Sequence, residues 1–368
     1  MKIIVRCSLL ALVSVLSIAA NAAHLSDSLK AGKVELKSAG PLAFGPEGIL
    51  FVADPLDASV YAIATDDTKA ASSTESFKVE AINEKIAALL GATAQQIQVN
   101  DLAVNPISRN ACLSVSRGQG PDAAPVLVRV EKGGKLTALA LDKAKFSKAN
   151  LPDAPAEGGG QGGRRAPTRR ESITDIAFKD GKLLVAGLSN EEWSSALRSI
   201  PFPFSNVDKG TGTQIYHGAH GAQETWAPVR TFVPYEIKGE THLVAAYTCT
   251  PLVKFPLSAL KPGAQVKGTT IAELGNRNRP LDMIVYQKGG KDYILMANSS
   301  RGVMKVTTDH IDSVEPIVAR VDGTKGLTYE TIADWKGITQ LDKLDKDHAL
   351  VLRTADGGAQ HLESIALP

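Results

Sequence analysis

Two imidazoles three residues apart, His217 and His220, are followed by a carboxylate, Glu224, in the run HGAHGAQE. Imidazole nitrogen and carboxylate oxygen together form a donor set for a divalent ion. The spacing is not that of a zinc-binding helix, because H-E-x-x-H is absent and Gly218 and Gly221 disfavour a helix here. His217, His220 and Glu224 are therefore candidate ligands for one divalent metal ion (Ca, Zn, Cu or Fe), provided that the loop folds back on itself. The same imidazoles can instead hydrogen-bond an organic ligand, move protons, or stand at the surface. No G-x-S-x-G, phosphate loop or C-x-x-C-H occurs, which leaves serine hydrolysis, nucleotide binding and covalent haem without support.

The elements that must position these residues follow from a repeated strand pattern. Inner strands begin near a polar cluster: Pro41-LAFG, Asp101-LAVN, Asp175-IAFK, Thr231-FVPY, Asp282-MIVY and Ile338-TQLD. A strongly apolar strand follows each, as in ILFVAD ending at Asp54 and HLVAAY from His242. Gly45-Pro46-Glu47-Gly48, Lys179-Asp180-Gly181-Lys182 and Lys288-Gly289-Gly290-Lys291 supply the tight turns between them. A third strand mixes apolar and long side chains, and a fourth is read in FKVEAI, LTALAL, TQIYH, TTIAEL and PIVARV. One four-stranded unit cannot bury both faces, whereas a radial array can.

The expected fold is therefore all-β: a six-bladed β-propeller with four-stranded blades, or a seven-bladed one if a long insert hides a degenerate blade. The sixth unit supplies only three strands before Pro368, so an N-terminal strand, Lys33-VELKS, is expected to close the last blade. Two inserts break the rhythm. Residues 83–98 contain a short amphipathic helix in which Ile86, Leu89 and Leu90 share a face. Residues 152–172, rich in Gly, Pro and Arg, read as a flexible loop with a basic knot at Arg164, Arg165, Arg169 and Arg170.

Residues 1–22 read as a signal peptide, with Lys2 and Arg6 before an apolar run and Ala20-Asn21-Ala22 as the cleavage signal. Residues 23–368 then form a single propeller domain, secreted or periplasmic, with no membrane span after signal removal. Removing Lys2 and Arg6 from 41 basic residues leaves 39 against 39 acidic ones, which gives a nucleic-acid partner no support. A small molecule or another exported protein is the expected partner. Two cysteines remain, Cys112 and Cys249, either paired or free.

The run GPLAFGPEGILFVADPLDASVYAI resembles a blade of the NHL/YVTN-like group of secreted β-propellers: an inner strand, a G-P-x-G hairpin, L-F-V-A-D, then V-Y-A-I. That group includes enzymes and pure binders. The resemblance implies a ligand funnel on the face that holds the approaches to the inner strands and the loops between second and third strands. Sorted this way, Asn100, Asp101, Asp175, Asn190, Glu191, Asn276, Arg277, Arg279, Asp282 and Arg301 are candidate ligand-binding residues. Asn100, Asp175, Glu224, Asn276 and Asp282 are also similar in type to the calcium ligands of lactonase-like propellers. Asp101, Asp175 and Asp282 recur at one strand position, which equally suits a capping role for backbone amides. The leading functional reading is an exported propeller that binds a ligand or metal in this funnel. The alternatives are a metal-dependent hydrolase or lactonase-like enzyme using the same funnel, and a periplasmic redox metalloenzyme.

Overall fold

The computed structural model describes residues 24–71, 76–158, 168–249 and 251–368. The proposed signal segment and Arg164 and Arg165 of the basic knot lie outside the described residues. Among the described residues no helix is long and apolar enough to cross a membrane.

The strands form six sheets, and these are the blades of a propeller. Blades are numbered by the order of their inner strands along the chain. Blade 1 has Leu42–Phe44, Ile49–Asp54 and Ser59–Ala64, then Ala144–Asn150, with Lys30–Gly32 as a fifth strand. Blade 2 runs Ile97–Val104, Ala111–Arg117, Ala124–Val130 and Leu136–Ala138. Blade 3 runs Asp175–Lys179, Lys182–Leu188, Ser195–Pro201 and Thr211–His217. Blade 4 runs Val229–Ile237, Glu240–Tyr247, Pro251–Pro256, Thr269–Leu274 and Thr324–Gly326. Blade 5 ends on Tyr329–Ile332, after Pro280–Lys288, Lys291–Asn298 and Gly302–Thr307. Blade 6 has Ile338–Lys343, His348–Thr354 and Gln360–Ala366, and Lys78–Val79 is its fourth strand.

Burial follows the strand pattern. Second strands are buried on both faces, as in Ile49–Asp54, because each sheet is covered by two neighbouring blades. The apolar clusters between blades also fix the order around the ring. One cluster joins blades 1 and 3 through Phe51, Val60, Ile176 and Val185. Another joins blades 1 and 2 through Val52, Tyr61, Cys112 and Leu127. A third joins blades 2 and 6 through Leu113, Val128, Leu350 and Leu362. The remaining interfaces pair 3 with 4, 4 with 5, and 5 with 6. The ring therefore reads 2-1-3-4-5-6, with the first two blades exchanged relative to the chain.

This exchange explains the closure. After the third strand of blade 1 the chain crosses to blade 6 and adds Lys78–Val79 beside Gln360–Ala366. The helix Ile82–Leu90 follows, burying Ile82, Ile86 and Ala87 against blades 2 and 6, while Leu89 faces solvent. The chain then builds blade 2 and returns through Ala144–Asn150 to complete blade 1. An N-terminal strand thus closes the last blade, but it is Lys78–Val79 and not Lys33-VELKS. Residues 33–38 instead wrap blade 1: Val34 is buried there, and the Lys37 and Ser38 amides donate to Asp54. PIVARV is likewise not a strand. The outer edge of blade 5 is taken by Tyr329–Ile332, and Ile317 is buried with its N–H bonded to Thr270 O. Cys112 and Cys249 are free thiols, and burial pushes the Cys112 thiol up to about 12.

Candidate functional site

The histidine pair is positioned by the outer strand of blade 3. Thr211–His217 alternates buried and half-buried residues, which places Thr211, Thr213, Ile215 and His217 on the inward face. Only Thr211 and Gly212 pair with the third strand, opposite Leu197 and Ala196, so the rest of the strand runs on past the end of that blade. There it folds into a hairpin with Ala222–Glu224, in which Ile215 faces Glu224 and His217 faces Ala222. Gly221, at φ +66°, and its N–H bond to His217 O close the turn. The turn lays His220 over His217, with ring centroids 3.7 Å apart.

The three candidate ligands converge. One donor atom from each of His217, His220 and Glu224 lies within 4.8 Å of the others. Glu224 Oε1 is 2.6 Å from His220 Nδ1, and Glu224 Oε2 is 3.1 Å from His217 Nδ1. The second contact is not aligned as a hydrogen bond: both His217 ring nitrogens and Glu224 Oε2 are buried without a hydrogen-bond partner. Burial raises the Glu224 pKa, but the His220 hydrogen bond and the proximity of both imidazoles outweigh it, and the carboxyl sits below its ordinary value. His217 and Glu224 are buried, whereas the His220 side chain is 47% exposed and opens the site to solvent on one side.

A second acidic group supports the loop from the next blade. Glu273, on the fourth strand of blade 4, is fully buried, and its Oε1 accepts the Gly218 N–H at 2.5 Å. Burial raises its pKa, opposed chiefly by His217. Its Oε2 is left without a partner. A Cβ at position 218 would stand 2.9 Å from Glu273 Cγ and Oε1, so the close approach requires glycine. Glu273 went unnoticed in the sequence because TTIAEL reads as an ordinary strand. A carboxylate facing a core is the signal that could have marked it.

The ends of the central channel hold two cavities. The one on the face where inner strands begin has a volume of about 910 Å³ and is lined by Asn100, Ser116, Arg170, Glu171, Arg230 and Arg279, among others. His217, His220 and Glu224 do not line it. The metal candidate stands at the same end of the blades, but beside the fourth strands of blades 3 and 4. Sequence reasoning passed over Arg230, which is the second residue of the inner strand of blade 4.

The other predicted residues divide into two groups. Asp101, Asp175 and Asp282 line the opposite cavity, about 620 Å³, together with Asp342. Each of these four carboxylates accepts a backbone N–H from a neighbouring blade: Leu42, Phe232, Leu341 and Val104 respectively, at 2.6–2.8 Å. Burial pushes Asp175 up to about 7 and Asp342 to about 6, and raises Asp101 and Asp282 well above the ordinary range. Asn190, Glu191, Asn276, Arg277 and Arg301 line neither cavity. Glu191 pairs with Lys209 at 2.6 Å, and Arg301 donates to Asn276 O at 3.1 Å. The five residues with calcium-ligand chemistry therefore do not meet at one point.

No family model and no curated protein matches the chain. Several solved structures do. A putative oxidoreductase (glucose dehydrogenase) from Thermus thermophilus is 13% identical, with TM-score 0.37 over 92% of this chain and 100% of that one. The PQQ-bound aldose sugar dehydrogenase of Streptomyces coelicolor is 13% identical, with TM-score 0.34 over 91% and 96%. A chain of the mitotic checkpoint complex is 9% identical, with TM-score 0.38 over 96% and 99%. At these identities and scores no function passes from any of them to this chain, and membership of the NHL/YVTN-like group is not shown.

Proposed function

We propose that the protein is an exported β-propeller metalloprotein that binds one divalent transition-metal ion through His217, His220 and Glu224. The observation that carries this reading is the buried His217 ring with both nitrogens unsatisfied, facing an equally unsatisfied Glu224 oxygen. Buried polar atoms are rarely left so, because each costs about 1–3 kcal/mol, and one cation would satisfy one His217 nitrogen and the Glu224 oxygen together. With metal–ligand bonds of about 2.0–2.2 Å, small side-chain rotations would bring the three donors together.

Two imidazoles and one carboxylate suit zinc, iron or copper better than calcium, which prefers an all-oxygen set. Three protein ligands leave coordination positions open on the His220 side. That is the pattern of catalytic sites and not of closed structural ones. A metal-dependent enzyme, hydrolytic or redox, is therefore favoured over a metal-free binder. The ion would supply Lewis-acid or redox chemistry. His217 and Glu224 would hold it from the buried side, and Glu273 would fix the backbone that carries His220.

Cobalt(II) titration of the metal-free mature protein tests the assignment. A visible absorption band of low-symmetry cobalt that saturates at one equivalent and disappears in Glu224→Ala is expected. A band of equal intensity in that variant would remove the carboxylate from the site. Export is tested by sequencing the N-terminus of the mature protein, which is expected to begin at Ala23.

A further inference from the structure

The funnel at the start of the inner strands is a separate site, and its charges do not balance. Among the described residues its charged lining is Arg170, Arg230 and Arg279 against Glu171 alone. Glu171 is already committed: Oε1 accepts from Arg230 Nη1 at 2.9 Å and Oε2 from Thr168 Oγ1 at 3.1 Å. Arg230 Nε donates to Thr248 Oγ1 at 3.0 Å. Arg279 is held by its backbone, whose N–H donates to Ser299 Oγ at 2.9 Å. Among the described residues its guanidinium has no hydrogen-bond partner and no carboxylate within ion-pair distance. Arg230 and Arg279 line the same cavity, and desolvation and the Arg230 charge press the Arg279 pKa downward against the opposing charge of Glu171. The precursor's net charge is only +2, so this cationic mouth is a local feature and not part of a basic surface.

The carboxylates Asp101, Asp175, Asp282 and Asp342 line the other cavity, where they accept backbone amides at the blade interfaces, and none of them forms an ion pair with Arg230 or Arg279. Neutral hydrogen-bonding groups complete the wall. Asn100 donates to Ala39 O and Ser116 Oγ, and Gln340 donates to Asn100 O. A cavity of about 910 Å³ is of small-molecule size. Guanidinium groups match carboxylate and phosphate geometry and lose less on dehydration than ammonium groups.

We infer that the funnel binds a small polar molecule carrying an oxyanion, a carboxylate or a phosphate, through the Arg279 and Arg230 guanidiniums. Glu171 holds Arg230 in place and weakens the site by its own charge. The metal at His217, His220 and Glu224 plays no part in it.

Calorimetric titration of the mature protein with succinate and with inorganic phosphate, at matched ionic strength, tests it and distinguishes the two anions. Putrescine serves as the cationic control. At least one anion is expected to bind at one site per chain. Arg279→Gln should weaken it by about tenfold or more, as loss of one charge-assisted hydrogen bond predicts. Glu171→Gln should tighten it, and His217→Ala should leave it unchanged. Failure of both anions to bind, equal binding of putrescine, or an unchanged affinity in Arg279→Gln would overturn the inference. Loss of anion binding in His217→Ala alone would move the site to the metal.

Discussion

Asp101 of blade 2 accepts the backbone N–H of Leu42 in blade 1 at 2.6 Å, although the two residues are 59 positions apart. Asp175, Asp282 and Asp342 make the same bond to the next blade on their side, so four of the six blade junctions are tied by a carboxylate. The recurring aspartate of the inner strand is thus a fastening between blades.

The Asp175 fastening depends on pH. Its pKa of about 7 lies above the unfolded value of about 3.9. Between those values the folded state holds a proton that the unfolded state has lost, so the stability contribution is full at low pH and declines as pH rises through about 7. Asp175→Asn carries no such proton. Relative to the parent, the variant should gain about 1–2 kcal/mol between pH 5 and pH 8 in urea unfolding, allowing for channel water. A constant difference across that range would contradict the shift.

Closure through Lys78–Val79 gives Phe77 an importance that its place before a two-residue strand conceals. Its side chain is 1% exposed, and its backbone exchanges bonds with Ser364 of blade 6. Phe77→Ala should cost about 3–5 kcal/mol, and limited proteolysis should then cut first near blades 2 and 6. Fragments from blades 3 to 5 appearing first would place the closure elsewhere.

Asp153 and Arg198 form an ion pair at 2.9 Å in which both side chains are buried, and Asp153 also accepts the Gly210 N–H. The pair ties the segment after blade 1 to the third strand of blade 3. Asp153→Ala should cost about 3–5 kcal/mol because the guanidinium is left buried and alone, and adding Arg198→Met should recover a large part of that. Thermal unfolding of the single and double variants measures both, and a double variant no better than the single one would argue against it.

The fold was legible because its signal is repeated. Inner strands opening on Asp101, Asp175 and Asp282 and Gly-bearing hairpins such as Lys288–Lys291 mark the blades without reference to distant contacts. The exchange of blades 1 and 2 was not legible, since FKVEAI reads as the fourth strand of its own unit and Ala144–Asn150, which completes blade 1, carries too many polar residues to read as a strand. In the site, His217, His220 and Glu224 are close in sequence and share one hairpin, so spacing alone suggested them. Glu273 reaches the hairpin from the next blade, and only its place in an otherwise apolar strand marks it; Arg230 enters the funnel from the start of its own inner strand, where an isolated arginine carries no local signal.

Glu273 is a positioning residue for the histidine hairpin. Glu273→Gln keeps the shape of the group and can still accept from Gly218, whereas Glu273→Ala leaves the amide buried without a partner. The alanine variant should weaken metal affinity by roughly tenfold or more, and the glutamine variant should restore most of it, in a competitive chelator titration. Equal loss in both would indicate that the carboxylate charge acts on the ion directly.

The central claim rests on one ion held by one hairpin. The most direct measurement is the metal content of protein purified from its exporting host and dialysed against metal-free buffer, compared with the His217→Ala/His220→Ala double variant. One divalent transition metal per chain in the parent and none in the folded double variant is the predicted result. Equal metal in both, or a parent that stays empty and takes up no zinc, iron or copper when these are supplied, would contradict it.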